Sequence, residues 1–305
     1  MKNWIATAVV FVALATATVV AGRVEQESAS RDSVRWPAQG RAVTLADGTI
    51  LNIACSGLDS PTTVVFEAGL GESSMTWSDV LPDVAETTRA CAYDRAGYGW
   101  SAPTSASRDA RTEAAQLHEA LEGVGEAGPY LLVAHSLGGL VSRQFAAVHP
   151  HEVMGLVLLD PTDPGAVLEA GAPVLPVAEA RVQSALARVG ALRPFLGRLV
   201  RDASGSTPPA AVEERAALLY TFRTFDTAAA ELGASLESAR QIEESGPLKG
   251  IPVAVLASTG SIFTPEQLAQ ISDESTVVNL QSGHYLHYEH PTAVIDTIRG
   301  ILASP

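Results

Sequence analysis

Ser136 stands in the run Ala134-His135-Ser136-Leu137-Gly138-Gly139, directly after an apolar stretch and at the opening of a helical pattern. A serine between a strand and a helix can act as a nucleophile. The turn there is sharp, so the residues two before and two after must be small, as Ala134 and Gly138 are. The free N–H groups of a helix start also favour developing negative charge. An ordinary serine N-cap is the alternative, and the strand before and helix after weigh against it. A serine hydroxyl needs a base, and His284 follows Ser282-Gly283 just past the last strand pattern. His287 and His290 come at three-residue steps and invite a metal-site reading. Such a site would want a carboxylate or cysteine partner in fixed geometry. We therefore read His287 and His290 as helix-entry packing and solvent-exposed residues ahead of Pro291, and expect no metal or cofactor.

The elements that must position these residues alternate. Arg41 to Leu45 and Ile50 to Cys55 flank Asp47-Gly48, a hairpin signal. Strands are predicted at Thr63 to Glu67, Arg89 to Tyr93, Tyr130 to Ala134, Gly155 to Leu159, Ile251 to Ala257 and Thr276 to Leu280. Helices are predicted at Trp77 to Glu86, Arg108 to Leu121, Leu137 to Val148, near Pro265 to Ile271, and from about Thr292 to Leu302. This alternation predicts an α/β fold, a mainly parallel sheet with helices on both faces. Residues 161–248 break the pattern. They are rich in Ala and Glu, with breaks at Pro194 and Pro208-Pro209, and read as a helical cap inserted between two strands. The core is thus 41–160 with 249–305.

Several motifs now fall in one order. Ala134 to Gly139 resembles the nucleophile elbow, small-x-Ser-x-Gly, of the α/β-hydrolase superfamily. Phe66-Glu67-Ala68-Gly69-Leu70-Gly71-Glu72 is similar to its oxyanion loop, with Ala68-Gly69 where the family usually has His-Gly. Tyr93-Asp94-Arg95-Ala96-Gly97-Tyr98-Gly99-Trp100-Ser101 resembles its Asp-x-x-Gly-x-Gly-x-Ser segment. The resemblance covers roughly Arg41 to Ile301 apart from the insertion. It implies Ser136 as nucleophile, His284 as base, and the N–H groups of Leu70 and Leu137 as the oxyanion hole. Asp94 is expected to cap a turn, and His135 to pack or hydrogen-bond beneath the elbow. Most members place the triad acid after the penultimate strand, but here Leu256 to Ile262 contains no carboxylate. The preceding strand ends Leu158-Leu159-Asp160-Pro161-Thr162-Asp163-Pro164, which looks like lipases whose acid comes one strand early. Asp160 is the implied acid, Asp163 its rival, and a turn-capping role for Asp160 before Pro161 the alternative.

The implied activity is serine hydrolysis of a carboxylic ester through an acyl-enzyme. A serine rather than an aspartate nucleophile argues against dehalogenase and epoxide-hydrolase chemistry. Amidase, thioesterase, lactonase and acyltransferase activities stay open, as does a non-catalytic binding protein on the same fold. In the cap, Phe195, Tyr220, Phe222 and Phe225 could line an acyl pocket or pack cap against core.

Composition bounds the rest. The 305 residues are 47% hydrophobic and 18% charged, with 20 Lys+Arg against 34 Asp+Glu. That is enough to bury a large core and too apolar for disorder. A net charge of −14 repels phosphate backbones, so nucleic acid is a poor partner. A small-molecule ester or acyl substrate is the expected partner. From Trp4 to Ala21 the chain is uncharged and mostly apolar, and small residues precede Arg23. Residues 1–22 read as a signal peptide cleaved near Ala21 or Gly22, or, if uncleaved, as a membrane anchor. Membrane attachment is expected only through this segment. Residues 23–40 read as an aperiodic linker. Export puts Cys55 and Cys91 where disulfides persist. The superfamily's strand order makes their two strands neighbours, which implies a Cys55–Cys91 bond, with two buried free thiols as the alternative.

Overall fold

Thr63–Glu67, Tyr130–His135 and Val153–Leu159 are buried along nearly their whole lengths, the mark of strands covered on both faces. In the computed structural model, which describes residues 2–195, 209–261 and 263–303, they lie at the centre of an eight-stranded sheet. The strands are β1 (Arg41–Thr44), β2 (Ile50–Gly57), β3 (Thr63–Glu67), β4 (Arg89–Asp94), β5 (Tyr130–His135), β6 (Val153–Leu159), β7 (Val253–Ala257) and β8 (Ser275–Asn279). Their order is β1-β2-β4-β3-β5-β6-β7-β8. β1 and β2 pair antiparallel, as do β2 and β4; every other pairing is parallel. One core on one face joins Leu51, Val65, Leu117, Leu132 and Phe145; the other joins Phe66, Trp77, Val133, Val157 and Ile298.

The helices are α1 (Lys2–Arg35), α2 (Leu81–Ala85), α3 (Ala110–Val124), α4 (Gly138–Val148), α5 (Pro164–Ala170), α6 (Val174–Arg188), α7 (Pro209–Leu219), α8 (Phe222–Ser245), α9 (Pro265–Ile271), α10 (Leu286–Glu289) and α11 (Pro291–Leu302). α5 to α8 all lie between β6 and β7, so the insertion is helical. Residues 196–208 of it, with the break expected at Pro208, lie outside the described residues. Cys55 and Cys91 face each other across the β2–β4 ladder and are bonded, with Cα atoms 4.0 Å apart.

Two local expectations are corrected. Residues 23–35 are not an aperiodic linker: α1 runs through them to Arg35. No apolar periodicity announces this, because ion pairs with the insertion hold that part: Glu25 and Asp32 meet Arg193 at 2.5 and 2.8 Å, and Arg35 meets Glu213 at 2.7 Å. Trp77 to Glu86 is not one helix. It splits into a 3-10 turn at Ser74–Trp77 and α2, where Pro82 suits a helix start and not an interior. The segment after His284 carries the short helix α10. Among the described residues, no helix is long and apolar enough to cross a membrane.

Parallel register positions the site. Glu67 pairs with Ala134, His135 with Leu159, and Leu159 with Leu256. The loops that leave β3, β5, β6 and β7 therefore emerge side by side at the carboxyl edge of the sheet, where ligands bind in open α/β sheets.

Candidate active site

Ser136 sits between β5 and α4 with φ of 50°. Its N–H donates to the Leu159 carbonyl at 3.0 Å, and its carbonyl accepts from Gly139 at 3.0 Å and Thr162 at 3.1 Å. These bonds hold the left-handed backbone that aims the hydroxyl away from the sheet. Gly138 is required by close approach: a Cβ there would lie 2.5 Å from the Ala68 carbonyl oxygen. The elbow and the loop after β3 are thus in backbone contact.

The Ser136 hydroxyl lies 3.0 Å from His284 Nε2, and His284 Nδ1 lies 2.5 Å from Asp160 Oδ2. Asp160 is the other non-glycine residue with positive φ among those described, at 43°. Its N–H donates to the Leu256 carbonyl at 2.8 Å, and its Oδ1 accepts from the Ser258 N–H at 3.2 Å. Burial pushes the Asp160 pKa up, but hydrogen bonds from His284, Ser261 and Ser258 outweigh that and hold it at about 2. Asp163 takes no part in this chain. Its Oδ1 caps α5 through the Gly165 N–H at 2.9 Å, and its Oδ2 accepts from Gln267 at 2.8 Å.

Leu70 and Leu137 belong to the two loops that meet at Ala68 and Gly138, and neither N–H has a backbone acceptor among the described residues. Beneath them, Glu72 Oε2 accepts the Gly69 N–H at 2.7 Å and faces His135 Nδ1 at 2.8 Å. His135 Nε2 lies 3.0 Å from the His284 carbonyl oxygen. Both nitrogens of His135 therefore face acceptors, which requires a proton on each. Burial lowers the His135 pKa, but the Glu72 charge, the hydrogen bonds to Glu72 and the His284 carbonyl, and the Asp160 charge together raise it by more. Glu72 is held well below the usual carboxylate range: burial opposes ionisation, and the His135 charge with its hydrogen bond, the His287 charge and the Gly69 N–H together overcome it. Asp94 caps the turn after β4, accepting the Ser74 N–H at 2.7 Å and the Trp100 N–H at 3.0 Å.

His287 and His290 are not joined by the fold. His290 bonds the Gln281 carbonyl at 3.1 Å in an exposed position. His287 is buried, its Nε2 2.9 Å from the Thr76 hydroxyl, and burial pushes its pKa down to about 3. Donor atoms of Glu72, His135 and His287 lie within 4.8 Å of one another, the spacing of a cation site. His135 Nδ1 faces Glu72 of the same group, and His287 Nε2 faces the Thr76 hydroxyl. Of the four aromatics considered for the pocket, Tyr220 and Phe225 line a cavity of about 340 Å³ with Leu70, Leu219, Leu232 and Tyr285. Phe222 borders a different cavity beside Pro103, and Phe195 is 61% exposed, so neither belongs to this wall.

Glu289 was not foreseen as a site residue. Its Oε2 accepts from the Gly283 N–H at 2.9 Å and the Ser282 hydroxyl at 3.1 Å, fixing the loop that carries His284. Its local signal is faint, a carboxylate five residues after the Gly283-His284 pair. The role of Glu72 had no signal beyond its place in a glycine-rich loop.

Comparison with known proteins agrees with this architecture. YqjL of Bacillus subtilis is 39% identical over 102 residues, 33% of this chain and 40% of that protein. Lipase LipV of Mycobacterium tuberculosis is 35% identical over 114 residues, 36% of this chain and 41% of that protein. The chain thus spans less than half the length of these two relatives. The crystal structure of Cfl2 from Burkholderia cenocepacia superposes with a TM-score of 0.74 at 28% identity, covering 85% of this chain and 94% of that one. The model of the alpha/beta hydrolase family matches residues 64–297. With that span matched and the eight-stranded sheet in place, the chain belongs to the alpha/beta hydrolase family.

Proposed function

We propose that the protein is a serine hydrolase that cleaves carboxylic esters of small, uncharged substrates. The observation that carries the reading is the unbroken chain from the Ser136 hydroxyl through His284 to Asp160, at 3.0 and 2.5 Å. Ser136 Oγ attacks the acyl carbon while His284 Nε2 takes the hydroxyl proton. The carbonyl oxygen becomes an oxyanion facing the Leu70 and Leu137 N–H groups. His284 returns the proton to the departing alcohol, leaving an acyl-serine. A water, deprotonated by His284, attacks the acyl carbon, and collapse releases the acid and restores Ser136. Asp160 fixes the histidine tautomer and stabilises the imidazolium. Among the described residues lining the 340 Å³ cavity beside Leu70 there is no Lys or Arg, and Glu72 and Glu179 are present, which argues against an anionic acyl group. The similarity to Lipase LipV is in keeping with an ester substrate.

The test uses p-nitrophenyl esters of several chain lengths with wild type, Ser136→Ala, and EDTA. Hydrolysis by wild type, lost in Ser136→Ala and unchanged by EDTA, is expected. A fluorophosphonate should label the protein once, at Ser136. Activity that survives Ser136→Ala overturns the mechanism, and loss to EDTA assigns a metal hydrolase. We also assign the protein to the exported class, on the apolar run Trp4 to Ala21 and the paired cysteines. Fractionation that finds it only in the cytoplasm overturns that assignment.

A further inference from the structure

Arg95 is buried, and its guanidinium reaches five oxygens. Nη1 donates to Glu67 Oε1 at 2.6 Å and the Ala68 carbonyl at 2.5 Å. Nη2 donates to the Gly69 carbonyl at 2.9 Å and Glu231 Oε2 at 3.1 Å, and Nε donates to Glu231 Oε1 at 2.9 Å. The Gly69 carbonyl and the Leu70 N–H belong to one planar peptide unit. A cation bonded to that oxygen fixes the plane of the unit, so it fixes where the Leu70 N–H points. It also polarises the amide, strengthening the N–H as a donor.

The next peptide is held from the other side. The Gly71 N–H donates to the Tyr98 hydroxyl at 3.1 Å, and that hydroxyl donates to Glu231 Oε2 at 2.8 Å. Leu70 is therefore bracketed by Arg95 at Gly69 and Tyr98 at Gly71, and both brackets end on one carboxylate. That carboxylate belongs to α8, a helix of the insertion. Glu231 is also held by Arg108 at 2.9 Å.

We propose that Glu231 is a positioning residue of the reaction: through Arg95 and Tyr98 it sets the Gly69–Leu70 peptide, so the docked insertion completes the oxyanion hole. This rests on the serine-hydrolase reading. The insertion is then part of the catalytic framework as well as a wall of the pocket. Cap docking and oxyanion stabilisation are one structural event.

The test compares Tyr98→Phe, Glu231→Gln and the double variant Arg95→Gln/Glu231→Gln, which removes a cation and a carboxylate together and leaves Arg108 with Glu113 and Glu67 with the Tyr93 hydroxyl. Active sites are counted by fluorophosphonate titration, so partly unfolded protein does not enter kcat. Removing one oxyanion donor costs about 10²–10³ in kcat; the double variant is expected to lose about 100-fold. Tyr98→Phe, which leaves the Arg95 bracket bonded, and Glu231→Gln, which keeps both bracketing residues but removes the charge that anchors them, should each lose roughly 5- to 20-fold. KM should stay within about threefold throughout, because the ground-state ester makes little use of the hole. A crystal structure of the double variant should show the Gly69–Leu70 peptide rotated. Per-site kcat within threefold of wild type overturns the proposal, as does a change in KM alone, which would place Glu231 in substrate binding. Should wild type neither hydrolyse esters nor label at Ser136, the serine-hydrolase reading fails; an unrotated 69–70 peptide then also sinks the positioning role.

Discussion

Two histidine–carboxylate pairs lie back to back in this molecule. His284 with Asp160 and His135 with Glu72 have similar separations, 2.5 and 2.8 Å, and the two rings are 4.6 Å apart. The residue types are the same and the chemistry is not. His284 is 46% exposed at its side chain, and its second nitrogen faces a serine hydroxyl. His135 is buried, and its second nitrogen faces the backbone carbonyl of His284. A hydroxyl can give up a proton; a carbonyl can only accept one. In the proposed mechanism the first pair carries the proton, while the second is an ion pair that ties the Gly69–Glu72 loop to the loop that carries His284. What lies beyond the second nitrogen decides the role, and the carboxylate alone does not.

Three changes break or sharpen this contrast. The largest effect belongs to Asp160→Asn. With the tautomer of His284 no longer set, kcat should fall by about 10⁴-fold while the fold persists. Kinetics on a p-nitrophenyl ester, beside a circular dichroism spectrum, would decide it. Near-native kcat would mean that the two pairs differ in some other way.

His135→Gln should act mainly on stability, with kcat lowered about tenfold by a shifted base loop. Loss of one member of a buried ion pair costs about 3–5 kcal/mol. The folded His135 pKa is raised above its unfolded value, so its contribution is complete below about pH 6.5 and fades as pH rises through the folded value. Urea unfolding at pH 6 and pH 9 should therefore show the gap to wild type shrinking at pH 9. A gap that widens instead would assign a neutral histidine.

The smallest effect is expected of Asp163→Asn. Asparagine caps a helix about as well as aspartate, and Asp163 lies outside the Ser136–His284–Asp160 chain. Its kcat should stay within about twofold and its stability within roughly 0.5 kcal/mol. A loss approaching that of Asp160→Asn would move the acid to Asp163 and dissolve the comparison.

Much of this was legible in the chain. The β-α alternation, the helical insertion and the pairing of Cys55 with Cys91 all read from composition, pattern and resemblance, and the sheet has the mainly parallel form they imply. The stretch 23–35 was not legible, because its helix is held by ion pairs to residues such as Arg193, far along the chain. Glu231 was equally silent: an isolated Glu in an Ala-rich helix reads as a solvated face, and here it is buried against Arg95 and Arg108.

The sequence by itself determined where the chain turns. Ser136 between an apolar strand and a helix, with small residues around it, is local physics: sterics, free helix N–H groups and hydrophobic period act over a few residues. Only the tertiary structure decided which side chains meet. Asp160 and Asp163 are three residues apart and nearly alike as text, yet one faces His284 and the other caps a helix. Their separation comes from a left-handed backbone at Asp160 and from the register of β6 against β7. Contacts across 124 or 136 residues, such as His284 with Asp160 or Arg95 with Glu231, are set by how crossovers stack the strands. No local pattern carries that information, because each partner's own neighbourhood is compatible with many others.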